Sequence, residues 1–132
     1  HSEALMENLE SMFLGAFYSA IIKSAISSKD GYMTVPELTS YINILPKRGV
    51  EMAKIVNATL LKISKFEAKH GRPMLTAIVC KQDKKNNDIF PSDWFFTCAK
   101  EAGYDVPENE TERLTFWKSQ FDEVHEYWNL KI

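Results

Sequence analysis

The chain has 132 residues, 45% of them hydrophobic and 26% charged, with a net charge of −2. This matches one ordinary globular domain, able to bury roughly two-thirds of the surface its unfolded form exposes, and excludes the disordered class. Cys80 and Cys98 each sit inside an apolar run, which argues against a disulfide framework and for reduced, buried thiols, with a single disulfide left open. The longest apolar stretch, Met12 to Ile22, is about half the roughly 20 residues that a membrane-spanning helix needs. A cytoplasmic protein without signal peptide or membrane contact is therefore expected. His1, standing where an initiating methionine would, is expected to be an expression remnant without a role.

In chain order, Leu5, Leu9, Met12, Phe13, Phe17, Ala20, Ile21 and Ala25 recur at three- and four-residue steps, predicting an amphipathic helix over 3–27. Ser27 to Gly31 reads as a turn, and Tyr32-Met33 as a short strand. Thr34-Val35-Pro36-Glu37 has the spacing of a capping box, with Pro36 in the first turn of a short second helix that carries Leu38, Tyr41 and Ile42 and ends before Leu45-Pro46. A long third helix is predicted over 47–70, stopped by Gly71 and Pro73. Met74 to Cys80 is a largely apolar run expected to be a buried strand, Lys81 to Asp88 a polar loop, and Asp88 to Phe90 a weak strand. Ser92, followed by Asp93, is expected to cap a fourth helix carrying Trp94, Phe95, Cys98 and Ala99 and ending at Gly103. A last helix from about Thr111 carries Leu114, Trp117, Phe121, Val124 and Trp128. The expected fold class is α+β, mostly helical, with about five helices and a small two- or three-stranded β element, in one domain over 1–132.

The near-neutral total hides a segregation. Residues 1–42 carry two basic and five acidic groups, residues 43–85 ten and three (+7), and residues 86–132 four and ten (−6). At about 100° per residue, Lys47, Lys54, Lys62, Lys65 and Lys69 fall on one face of the third helix, opposite Met52, Val56, Thr59, Leu60, Ile63 and Phe66. Arg48, Arg72, Lys81, Lys84 and Lys85 extend the basic surface at the helix ends and in the following loop. Such a surface suits phosphate contacts, since counterion release supplies most of non-specific nucleic-acid affinity. An ordinary solvated face, or pairing with the acidic C-terminal region, accounts for the same residues equally well.

The order helix, strand, helix, turn, helix and strand-loop-strand, together with Met33-Thr34-Val35-Pro36-Glu37-Leu38, resembles a winged helix-turn-helix over residues 5–90, with Lys81–Asp88 as the wing and 91–132 as a helical extension. That resemblance implies a third helix entering a DNA groove through its first turns, here with Lys47, Arg48 and Glu51. Base-reading Asn and Gln are scarce there, so it implies no sequence-specific readout. The string Gly71-Arg72-Pro73-Met74-Leu75-Thr76-Ala77-Ile78-Val79, with Phe95-Phe96, Gly103 and Phe116-Trp117, resembles small uncharacterised proteins of bacteria and their mobile elements, although the stretch Lys84 to Pro91 lacks the glycine-rich turn of that pattern. That second resemblance implies no activity.

Catalytic patterns are missing: there is no phosphate-cradling glycine loop, no nucleophile elbow and no paired-cysteine zinc motif. Asp122, His125 and Glu126 share a helical face and could hold a metal, but a solvated acidic helix explains them more simply. Glu67 with Lys69, or Asp83 with Lys84, could belong to a metal-dependent nuclease site, though neither pair has the strand-borne setting such a site wants. His70 suits a helix C-terminus. The expected function is thus a non-catalytic protein contacting nucleic acid, without cofactor. The alternative is a protein-interaction module, an inhibitor or accessory factor or a homodimer, that docks through Trp117, Phe121 and Trp128 of the last helix.

Overall fold

The computed structural model describes residues 2–27, 31–40 and 50–130, with the side chains of residues 13–26, 31–40 and 53–129. Among the described residues it contains five α-helices and one small mixed sheet, a mostly helical α+β fold. Helix α1 covers Ser2–Ser27, and its Phe13, Phe17, Ala20, Ile21 and Ala25 enter the core at the predicted helical spacing. Strand β1 is Met33–Thr34, and α2 is Val35–Thr39.

The capping box forms. The Glu37 N–H donates to Thr34 Oγ1 at 3.3 Å, and the Thr34 N–H donates to Glu37 Oε1 at 3.3 Å, so two of the free donors at the start of α2 are satisfied reciprocally. Tyr41, Ile42 and the Leu45-Pro46 break lie outside the described residues.

Helix α3 spans Val50–Lys69 and sends Ile55, Val56, Thr59, Leu60 and Ile63 inward. It ends at Gly71, whose φ of +70° is the left-handed conformation that glycine adopts at least cost. The predicted strand over 74–80 is corrected. Leu75–Ile78 form a 3-10 turn, and only Val79–Asp83 form strand β2. Continuous apolarity records burial on all sides, which a wrapped central turn satisfies as well as a strand does; Met74 to Cys80 are all buried. This turn is the hub of the molecule, packed by α1, α3 and α5.

Strand β2 lies in the middle of the sheet. It pairs in parallel with β1 (Met33 beside Val79) and antiparallel with β3, Asp88–Pro91 (Lys81 beside Phe90). The connecting turn places Asn87 at φ +62°, and Asp83 accepts from the Lys85 N–H at 3.0 Å and from the Asn86 side chain at 3.1 Å.

Helix α4 is Phe95–Glu101, so the expected cap at Ser92 is displaced. The Ser92 carbonyl accepts from the Phe95 N–H at 3.1 Å, and the N-cap is Trp94, which supplies no side-chain hydrogen bond. Asp93 pairs with Lys81 across the sheet edge instead of serving the helix terminus.

Helix α5, Glu110–Leu130, starts under Asn109, whose Oδ1 accepts from the Glu112 N–H at 3.1 Å. Its Trp117, Phe121 and Val124 complete the core. Trp117 Nε1 donates to the Ala77 carbonyl at 2.8 Å and Gln120 Oε1 accepts from the Met74 N–H at 3.0 Å, which ties α5 to backbone groups at the hub that no strand ladder serves. Both cysteines are free and buried.

Candidate nucleic-acid interface

Helix α3 presents the predicted lysines to solvent. Lys54, Lys62, Lys65 and Lys69 are all exposed, on the side opposite the buried Val56, Leu60 and Ile63. Lys47 and Arg48 lie outside the described residues. Lys65 reaches Glu101 of α4 at 4.0 Å with both side chains more than half exposed, an ion pair of little energetic weight. Of the α5 carboxylates, Asp122 binds Lys118, and Glu123 accepts from Gln120. Glu123 and Glu126 line an open groove of about 510 Å³ with Gly71, Arg72, Tyr104 and Tyr127, past the C-terminal end of α3.

The remaining basic residues divide. Lys84 and Lys85 are exposed on the turn between β2 and β3, and Lys81 meets Asp93 in an exposed ion pair at the sheet edge. Arg72 is part-buried. Its Nε and Nη2 donate to the two oxygens of Glu67 at 3.0 Å each, and Tyr18 donates its hydroxyl to the same carboxylate. Arg72 thus neutralises a side chain with no exposed surface rather than offering its charge to a partner. Burial and the neighbouring Glu67 charge push the Tyr18 phenol up to about 12, while the hydrogen bonds that Arg72 donates to Glu67 hold it firmly in its charged form. The Gly71-Arg72-Pro73-Met74 string therefore has a structural meaning. The glycine ends α3, the arginine folds back on Glu67, and the chain enters the buried hub at Met74.

The interaction surface expected on α5 is not an open one. Trp117 and Phe121 are buried in the chain's own core and Trp128 is part-buried, so none stands out as an exposed anchor. Large apolar groups are exposed elsewhere, at Trp94, Phe90 and Leu114. Leu114, assigned to the apolar stripe by its spacing, lies at the solvent edge because β3 covers only part of the first turns of α5.

Four of the candidate catalytic and metal groups have structural partners. Glu67 is consumed by Arg72 and Tyr18, and Asp83 by its own turn. Asp122 pairs with Lys118, and His125 Nδ1 lies 3.2 Å from the Ala25 carbonyl. Among the described residues no three His, Cys, Asp or Glu side chains converge for a metal ion. His70 follows the end of α3, with Nδ1 2.9 Å from the Phe66 carbonyl. No helix among the described residues is long and apolar enough to cross a membrane.

Periodicity also misplaced Phe66. Expected on the core face, it is 47% exposed. Its ring meets Tyr18 edge-on at 5.8 Å and His70 at 4.4 Å, with the Arg72 guanidinium 5.2 Å from its centroid. A signal was present in the string Phe66-Glu67, since a core stripe cannot take a carboxylate without a partner, and that partner, Arg72, is what draws these groups together at the helix end.

Comparison of the chain with protein-family models, with curated proteins and with solved structures returns no match.

Proposed function

We propose that this protein is a non-catalytic module that binds nucleic acid through the solvent-facing side of α3. The observation that carries the reading is the arrangement of Lys54, Lys62, Lys65 and Lys69, all exposed along one helix whose opposite face is the core. A helix packed on one side and bearing ammonium groups on the other is a rigid support, so phosphate contacts there require little reorganisation. Lys84 and Lys85, on the tight turn beyond β2, are the second element able to reach a phosphate backbone. The chain order from α1 to β3 is the order that the winged-helix resemblance implies, with residues 84–87 as the tip of the wing; that β2 rather than β3 is central is an addition the order alone does not supply. Since Arg72 is taken up by the buried Glu67, contact with the backbone rather than base-edge readout fits the surface, and weak sequence preference is expected.

The test is a titration of labelled DNA and RNA at several salt concentrations. Engagement of about four phosphates gives a slope of log K against log salt near −3 to −4. The double substitution Lys54→Glu with Lys69→Glu should flatten that slope by about two and weaken binding to all sequences alike. Unchanged affinity in that variant, or no binding of the unaltered protein at low salt, removes the proposal.

A further inference from the structure

We infer that the strand this surface takes is single, RNA or DNA, and that Phe66 supplies the ring on which one of its bases stacks. The inference rests on the nucleic-acid reading above and goes beyond it to the kind of ligand.

Phe66 lies twelve residues after Lys54, hence about 120° round α3, between the lysine face and the core face. Its chain neighbours at the same helix end, Ile63 and Glu67, have no exposed surface, yet Phe66 is nearly half exposed. Leaving that much aromatic area in solvent forgoes stabilisation the core would have offered.

The ring is also held. Tyr18 and Arg72 both hydrogen-bond Glu67 and both touch Phe66, and His70, with Nδ1 2.9 Å from the Phe66 carbonyl, lies tilted against the ring at 4.4 Å between centroids. Four planar groups, Tyr18, Phe66, His70 and Arg72, are thus gathered at one end of α3. Lys62 lies one turn before Phe66 and Lys69 one turn after it, both exposed.

Planar rings set beside ammonium groups are the chemistry that recognises unstacked nucleobases on a charged backbone: the lysines meet phosphates and the aromatic face meets a base. In a duplex the base faces are already stacked on one another, so a ring fixed on a protein surface gains nothing from it. Because Phe66 is immobilised before binding, little conformational entropy is lost when a base covers it.

The experiment compares one mixed sequence of about 12 nucleotides as single strand and as duplex, in RNA and DNA form, by fluorescence anisotropy at fixed salt. The protein is used as the intact chain and in the variants Phe66→Leu and Phe66→Tyr. Single strands should bind about tenfold or more tighter than the duplex. Phe66→Leu should lose about tenfold on single strands with no change in duplex affinity or salt slope, and Phe66→Tyr, which keeps the ring, should retain binding. Circular dichroism and urea midpoints confirm that each variant is folded; were Phe66→Leu to unfold, the strand preference of the unaltered protein and of Phe66→Tyr still decides. Equal affinity for single strand and duplex, or equal binding by folded Leu and Tyr variants, overturns the inference and leaves the lysine reading standing. No binding of any nucleic acid overturns both. A preference between the RNA and DNA arms identifies the source of the strand.

Discussion

Removing the guanidinium of Arg72 tests what holds the end of α3 to α1. The Glu67 carboxylate has no exposed surface and receives two hydrogen bonds from Arg72 at 3.0 Å and one from Tyr18. In Arg72→Ala the Tyr18 bond stays and the two charge-assisted bonds go, leaving a buried carboxylate with a single donor. Breaking a buried pair from one side costs about 3–5 kcal/mol. Arg72 itself borders the open groove, and water entering the vacated space lowers the figure to about 3 kcal/mol, including the lost contact on the Phe66 ring. Urea unfolding followed by the fluorescence of the buried Trp117 should therefore move its midpoint down by about 1.5 M with an unchanged slope. Glu67→Met combined with Arg72→Met should be less destabilised than Arg72→Met alone, because two apolar side chains leave no charge stranded. A shift equivalent to less than about 1 kcal/mol for Arg72→Ala, or strict additivity of the two Met substitutions, would refute the account of Glu67 as a charge kept in place by its partner.

Gly31→Ala should destabilise by about 2–4 kcal/mol, since φ is +77° there and an added Cβ would lie 2.6 Å from His125 Cε1 and 2.8 Å from Nε2. Adding His125→Ala should recover the steric part of that loss but not the backbone part, as thermal unfolding of both variants will show. Alkaline pH should weaken the fold. Burial pushes the Cys80 thiol up to about 12, and burial with the Glu67 charge does the same for the Tyr18 phenol, against ordinary values of 9.0 and 10.0. The folded chain thus retains protons that the unfolded chain releases, so stability is fully present below about pH 9 and declines as pH rises towards 12. Urea midpoints that stay level between pH 8 and 11 would contradict this.

Periodicity carried the helices well because each of α1, α3 and α5 buries one stripe against a common hub, and a stripe shows itself at a 3.6-residue repeat. Thr34 and Glu37 announced the start of α2 because a capping box is a local device, closed within four residues. Local signals failed where a distant group decides. Met74 to Cys80 has the apolarity of a buried strand, but Gln120 and Trp117 of α5 take its backbone donor at Met74 and acceptor at Ala77, so a 3-10 turn is satisfied there without a ladder. Ser92 has the chemistry of an N-cap, yet its carbonyl rather than its hydroxyl serves the turn that starts α4.

The lysine stripe was visible in the sequence as spacing, and its exposure follows from the burial of the opposite face. Which cations stand open to a partner was not visible. Arg72 looks like its neighbours in the chain, but the buried Glu67 claims it once α1 and α3 are brought together, whereas Lys81 meets Asp93 only in an exposed pair at the sheet edge. Trp117 and Phe121 looked like candidate anchors, and the hub formed by residues 75–78 absorbed them.

What the sequence determined by itself is which segments are helical, which face of each is apolar, and where positive charge is concentrated, because those properties depend on residues a few positions apart. Which charges are neutralised, which aromatic is left outside and which polar backbone groups find partners was decided only by the tertiary structure. Those outcomes depend on contacts between residues dozens of positions apart, such as Tyr18 with Glu67 and Ala77 with Trp117, whose meeting no local pattern encodes.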